Sequence, residues 1–308
     1  MRLPFASSRL PARETFADRE SLLAKVMLAP AIAYVVVLVG IPFVLAILLS
    51  FSNASAGSLS FDWVGLANYS VILGDPTFLK ALLNTAVITV AVQVLVVILA
   101  TAAALTFREV FVGKKVGRFL ILLPWAVPIT LAVMAWTWIF DSTFSVVNWS
   151  LKVSGLMHGW LYWLGDPTLG LISIIIVQVW RLFPFATVIV LAGMTSIPQD
   201  VVEASIIDGA GFWRRLFQIE LPFLLPVVTV AVLFGVVYTA TNLSVVYLLT
   251  GGGPADSTHV LATLAFQRGI EGADLGQGAA IALFLLPFLL IVAVGMLRVA
   301  RRSEVGGG

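Results

Sequence analysis

Six apolar stretches, each long enough to cross a bilayer, leave this chain few ways to fold: Val26–Phe51, Leu82–Phe107, Phe119–Phe140, Leu171–Thr195, Leu221–Thr250 and Ala279–Leu297. A membrane helix needs about 20 mainly apolar residues, and only one charge, Arg181, falls inside any of the six. Apolar residues make up 60% of the 308 and charged residues 11%, against about 45–50% and about 25% in soluble domains. No soluble core of this length could hide that excess. The expected fold is an all-α polytopic membrane protein with six transmembrane helices. Prolines inside the spans (Pro30, Pro42, Pro124, Pro128, Pro184, Pro226, Pro287) are tolerable because neighbouring helices can satisfy freed backbone groups. They suggest bent helices around a cavity, with a purely structural kink as the commoner alternative.

Lysines and arginines set an expected orientation. With the N-terminus in the cytoplasm, the inner side collects 14 of the 18, including Arg108, Lys114, Lys115, Arg118, Arg214 and Arg215. The outer segments keep Lys80, Lys152 and Arg268. Both termini are then cytoplasmic, in a multi-pass protein of a prokaryotic inner membrane. The outer connectors, Ser52–Ala81, Asp141–Gly170 and Gly251–Gly278, hold Trp63, Trp149, Trp160 and Trp163, suited to an interfacial aromatic belt. A signal-peptide core is about 7–15 residues, so the much longer first run reads as a retained anchor. The expected organisation is a cytoplasmic segment 1–24, one six-span domain 25–303 and a tail 304–308. A formal charge of +2 gives no case for nucleic acid. The absence of cysteine removes thiolate chemistry, and His158 and His259 lie far apart in connectors, so no metal site is expected. Asn53, Asn68 and Asn148 each begin an N-x-S triplet, read here as chance.

The stretch between the fourth and fifth apolar runs, 196–222, is different in kind. Ser196-Ile197-Pro198-Gln199 fits a capping box, and a short helix is expected to run to Asp208 and end at Gly209. A second helix should carry Phe212, Leu216 and Ile219 on one stripe and Arg214, Arg215 and Gln218 on the other side, before Leu221-Pro222 redirects the chain. Such an amphipathic helix pair could lie in the headgroups or serve as a docking knob for a soluble partner. Composition does not separate the two.

Glu203-Ala204-Ser205, then Gly209, then Ile219-Glu220-Leu221-Pro222 resembles the EAA signature of binding-protein-dependent ABC importer permeases. Every spacing matches, with Ser205 in place of the second alanine. The resemblance implies a type I ABC importer permease fold, a core of about 80–300 and cytoplasmic coupling helices. Glu203, Ala204, Ser205, Asp208, Gly209, Arg214 and Arg215 become the residues facing an ATP-hydrolysing subunit. It also implies partners: two ATPase subunits that bind ATP and Mg, a second permease (a heterodimer, with a homodimer equally allowed by the sequence) and an extracytoplasmic solute-binding protein. The chain has no G-x-x-x-x-G-K-[ST] loop, so it is expected to hold no cofactor and not to be an enzyme.

Val179–Pro198 and "YLLTGGGPADST" (Tyr247–Thr258) resemble the maltose-type carbohydrate-uptake permeases. That likeness implies a sugar or related polyol as substrate, with Gly251, Gly252, Gly253 and Asp256 toward the binding protein. Tyr238, Thr241, Asn242 and Tyr247 offer the hydroxyls, amide and rings that suit such a ligand. At about 100° per residue, Tyr238, Thr241 and Asn242 share a face. The alternative is helix–helix glue. Arg181, deep in a span, is expected to be functional or paired: with an anionic substrate, with Asp166, or with a partner-subunit carboxylate in a structural or gating role. Another small polar solute such as glycerol phosphate is the alternative substrate. An ion-driven carrier predicts internal repeats and intramembrane acids, and neither is visible in the apolar runs. The enzyme reading of Asp208-Gly209 as a CDP-alcohol phosphotransferase motif fails, because Phe212-Trp213 occupy the positions that should read Ala-Arg.

Overall fold

The computed structural model describes residues 16–58 and 61–305, with side chains over 23–58 and 61–298. Helices α1 (Phe16–Val35) and α2 (Ile41–Ser50), joined by a π-turn over Val36–Gly40, form the first span. The expected non-spanning segment 1–24 is therefore helical from Phe16; its residues 1–15 lie outside the described residues, as do 306–308 of the tail. The described residues divide into two units between Leu48 and Leu49. In the first unit every side chain from Val26 to Val39 is exposed.

The second unit contains α3 (Ala67–Leu73), α4 (Pro76–Arg108), α5 (Lys114–Ala126), α6 (Ile129–Ile139), α7 (Val146–Val153) and α8 (Pro167–Thr195). It continues with α9 (Gln199–Ile207), α10 (Phe212–Arg215), α11 (Leu221–Ala240), α12 (Leu243–Leu249), α13 (Leu261–Phe266), α14 (Leu275–Leu283) and α15 (Leu285–Val305). The central helices α4 and α8 start alike, at Asp75-Pro76 and Asp166-Pro167. Each aspartate accepts from the threonine N–H two residues on, at 2.8 and 2.9 Å, and proline fills N1, where no N–H is needed. Small buried residues line the core that α4 and α8 share: Ala100 and Ala104 on α4 and Ala186 on α8. Small side chains let membrane helices approach closely, so dispersion does what the hydrophobic effect cannot do in lipid. Helix α11 leans on both, and a Cβ at Gly193 would lie 2.9 Å from Leu224 of α11.

Among the described residues, five spans are long and apolar enough to cross a membrane, and a sixth exists if α5 and α6 count as one. That expected span, Phe119–Phe140, is bent by 97°. Steric clash with a proline ring drives the preceding residue out of the α region, and Val127 before Pro128 sits at φ −71, ψ 134. The expected fifth span also stops short. Its helix ends at Ala240, and Asn242 starts α12. In the sixth, Phe284 separates α14 from α15 three residues before Pro287.

Candidate coupling loop and pathway residues

The loop between α8 and α11 begins differently from the expected capping box. Ser196 closes α8, its Oγ donating to Gly193 O at 2.8 Å, and Pro198 is the N-cap of α9. Gln199 instead donates along the helix to Glu203 Oε1 at 2.9 Å. The proline sets an extended residue ahead of the helix and displaces the serine from the cap.

The end of α9 follows the sequence closely. Asp208 is the C-cap and Gly209 takes φ +71. Gly209 N–H bonds Ile206 O at 3.0 Å and Ala210 N–H bonds Ser205 O at 2.9 Å, the paired bonds of a Schellman motif. Ser205 is buried, its Oγ donating to Val202 O at 2.6 Å. Glu203, Ala204, Ile206, Ile207 and Asp208 remain exposed, Ile207 at 86%. The loop thus presents a rigid face that combines an acid with bare aliphatics.

After Gly211 the chain does not redirect at Leu221-Pro222. It runs as one helical rod from Phe212 to Ala240, widened by a π-turn over Leu216–Glu220. A proline lacks an N–H and its ring clashes with the carbonyl four residues back. A π-turn moves that carbonyl aside, and Leu221 N–H bonds Leu216 O instead. The π-turn ahead of Pro42 in the first span has the same form. Trp213 and Phe217 stack at 5.9 Å on the exposed side, and Arg214 donates to Gln218 at 3.1 Å.

Arg215 does not join Arg214. It turns toward Glu220, which is 1% exposed: Arg215 Nε lies 3.2 Å and Arg108 Nη1 3.0 Å from the same Glu220 Oε1. Burying a carboxylate is costly unless it is paired, and two guanidiniums meet the need. Sequence reasoning missed this cluster, because Arg108 and Glu220 are separated by more than a hundred residues and each taken alone is a flank charge.

Of the expected pathway residues, Arg181 and Tyr238 come together and the others do not. Arg181 Nε donates to Tyr238 Oη at 3.1 Å, and Nη1 donates to Pro124 O at 3.2 Å and Val127 O at 2.9 Å. Pro128 has no N–H to offer the Pro124 carbonyl, so Arg181 supplies what the break removes. Asp166 is not its partner, being committed to the N-cap of α8. Trp125, Phe185 and Phe234 close around Tyr238, with Trp125–Phe185 ring centroids at 5.0 Å and Trp125–Tyr238 at 6.0 Å, an aromatic cluster that the sequence reading did not single out.

The shared face of Tyr238, Thr241 and Asn242 does not exist, because the helix ends between them. Thr241 bonds its own helix at Val237 O, 2.7 Å, and Asn242 Oδ1 accepts from Val245 N–H at 2.9 Å as the N-cap of α12. Tyr247 donates to Glu271 at 2.7 Å.

The glycine block forms a tight turn. Gly251 and Gly252 adopt φ +61 and +88, and Thr258 bonds both Gly252 O through its N–H at 2.9 Å and Gly253 O through its hydroxyl at 2.6 Å. Gly252 lies flat on the His259 ring, where a Cβ would approach to 2.1 Å. Asn84 of α4 pins the segment by donating to Ser257 O and His259 O at 2.8 and 2.9 Å. Burial lowers the His259 pKa, partly opposed by the nearby Asp256 carboxylate. Gly251, Ala255 and Asp256 face outward, whereas Gly252 is buried. Among the described residues no cluster of three or more His, Cys, Asp or Glu could hold a metal.

Residues 97–305 match the model of the binding-protein-dependent transport system inner membrane component family. The chain belongs to that family. It is similar to the trehalose/maltose transport system permease protein MalF of Thermococcus litoralis, 32% identical over 92% of this chain and 95% of the relative. It is also similar to the diacetylchitobiose uptake system permease protein DasB of Streptomyces coelicolor, 31% identical over 95% and 91%. Its fold matches a chain from the crystal structure of a bacterial ABC transporter that imports the acidic polysaccharide alginate, with TM-score 0.80 and 21% identity over 93% and 98%. This permease is therefore a multi-pass inner-membrane component of a multi-subunit transport system, not a catalytic subunit. Of the EAA stretch, Glu203 and Ala204 are exposed at the α9 turn and Ser205 is buried beneath them.

Proposed function

We propose that this permease supplies half of the translocation pathway of an ATP-driven importer for a disaccharide, oligosaccharide or related polyol. The observation that carries the reading is the α9–Gly209–α10 turn. It is closed by paired backbone bonds, its acid and aliphatics are exposed, and it runs by helix into α11 and through the short link 196–198 into α8. An ATPase groove that holds this turn can move both spans as rods. ATP and Mg then belong to two partner ATPase subunits, and the turn faces the cytoplasm together with both termini. A second permease completes the pathway, and an extracytoplasmic binding protein meets the outer loops through Gly251, Ala255 and Asp256. The carbohydrate assignment rests on the transport named for the relatives and on the Tyr238 hydroxyl with the aromatic rings around it.

Glu203→Lys tests the docking. A cation on the exposed face should abolish co-purification of the ATPase while the permease still reaches the membrane at its normal level. A Glu203→Lys chain that retains the ATPase and full ATP-driven uptake of labelled trehalose or maltose refutes the docking assignment.

A further inference from the structure

The loop and the Arg181 region are joined by a continuous set of contacts through α5. Glu220 sits at the end of the π-turn, inside the rod that carries α10 and α11. Its carboxylate is gripped by Arg108, the last residue of α4. From there α5 is attached twice: Lys114 Nζ donates to Arg108 O at 3.1 Å, and Arg118 donates to Phe107 O at 2.8 Å. Gly117 lets α5 close on that point, since a Cβ there would lie 2.9 Å from the Phe107 ring. The far end of α5, about 20 Å away at about 1.5 Å per residue, is held by Arg181 through Pro124 O and Val127 O. One end of this short helix is thus held to the end of α4, whose Arg108 grips the coupling rod, and the other end is held by Arg181, which also bonds Tyr238.

We propose that the Arg108–Glu220 ion pair is the link by which movement of the coupling loop reaches α5 and, through Arg181, the pathway. This rests on the importer reading above. Arg108 and Glu220 are positioning residues that touch neither nucleotide nor transported solute. A buried pair suits the task. Stripping one arm from an enclosed carboxylate is costly, so the junction resists slipping when the rod is pushed. The Arg215 arm has a different role, because it binds the same oxygen from within the same rod and ties nothing to α4.

The two arms separate the link from a merely structural role. The chain has no cysteine, so spin labels placed at Val110→Cys and Trp213→Cys, both exposed, report the distance between the α4 end and the rod. The measurement is made on the complex purified with its ATPase, without nucleotide and after trapping with ATP and vanadate. With the link intact the distance stays within about 2 Å between the two states, the scale that a packed helix interface absorbs. Arg108→Gln is expected to give a shifted or broadened distance on trapping; Arg215→Gln, which also strips an arm from Glu220 and lowers stability, is expected to keep the parent distance because Arg108 still ties the rod to α4. If Arg108→Gln fails to assemble, Arg108→Lys keeps the charge without the planar fork and is expected to broaden the distribution partially. A distance that shifts in the parent, stays locked in the Arg108 variants, or loosens equally with Arg215→Gln overturns the link alone. A parent chain that never co-purifies with an ATPase overturns the importer reading and the link together.

Discussion

Replacing Arg181 with methionine should damage the fold at the α5–α6 break before it alters substrate selection. The guanidinium makes three hydrogen bonds, to Tyr238 Oη, Pro124 O and Val127 O, at 2.9–3.2 Å. A hydrogen bond to a charged group contributes about 1.5–3 kcal/mol net. Because Arg181 is half-buried, water can recover part of each bond. A net loss of about 3 kcal/mol follows from the two carbonyls, with the Tyr238 bond recovered by water. Methionine fills a similar volume, so packing loss adds little. Thermal unfolding in detergent, followed by intrinsic tryptophan fluorescence, should show the transition several degrees lower. The maximal uptake rate should fall while the half-saturation concentration of the transported sugar changes little. Unchanged stability together with a large rise in half-saturation would mean that Arg181 binds the substrate, and the structural account of it would be wrong.

Asn242→Asp should keep both the α12 cap and uptake, whereas Asn242→Leu should lose about 1 kcal/mol of stability as an N-cap does; an Asp variant with impaired uptake and normal stability would return Asn242 to the pathway. Gly278→Ala places a Cβ 2.4 Å from Gly269 Cα and 2.8 Å from its nitrogen, and backbone cannot swing aside. The cost should be about 3 kcal/mol or more, and an undisturbed unfolding transition would show that this close approach is not native. His259 is held below its ordinary pKa by burial, so its folded-state pKa lies under the unfolded value of about 6.5. Its neutral form stabilises the glycine turn fully above that pH, and stability is lost as pH falls from there toward the lowered value. Hydrogen exchange at 252–260 should therefore speed up on acidification beyond the intrinsic rate change, and His259→Gln should remove the pH dependence.

The apolar stretches were legible because a bilayer demands length and composition, which a sequence displays directly. The turn at Gly209 was legible because its geometry is local: a left-handed glycine and two backbone bonds six residues apart or less. Breaks within spans were harder. Pro128 could have been read as a mild kink, since membrane helices tolerate proline, and the 97° bend is possible because Arg181, more than fifty residues away, satisfies the freed carbonyl. Asn242 carried a usable signal, an amide three residues before Val245, but its place among Thr239, Thr241 and Ser244 within a 30-residue run hid the break. The same applies to Asp75-Pro76 and Asp166-Pro167, where cap and N1 proline were visible as pairs. The Arg108–Glu220 pair had no local signal, because its members meet only when α4 and the α11 rod pack together, whereas Arg215 lies in the same rod as Glu220.

The central claim, that this permease works as the membrane half of an ATP-driven sugar importer, is tested most directly by purifying the tagged chain from its native membrane in mild detergent. Mass spectrometry of the co-purifying proteins then gives the answer. The account predicts an ATPase subunit in stoichiometric amount together with a second permease or a second copy of this one. A chain recovered reproducibly alone, across several detergents, contradicts it.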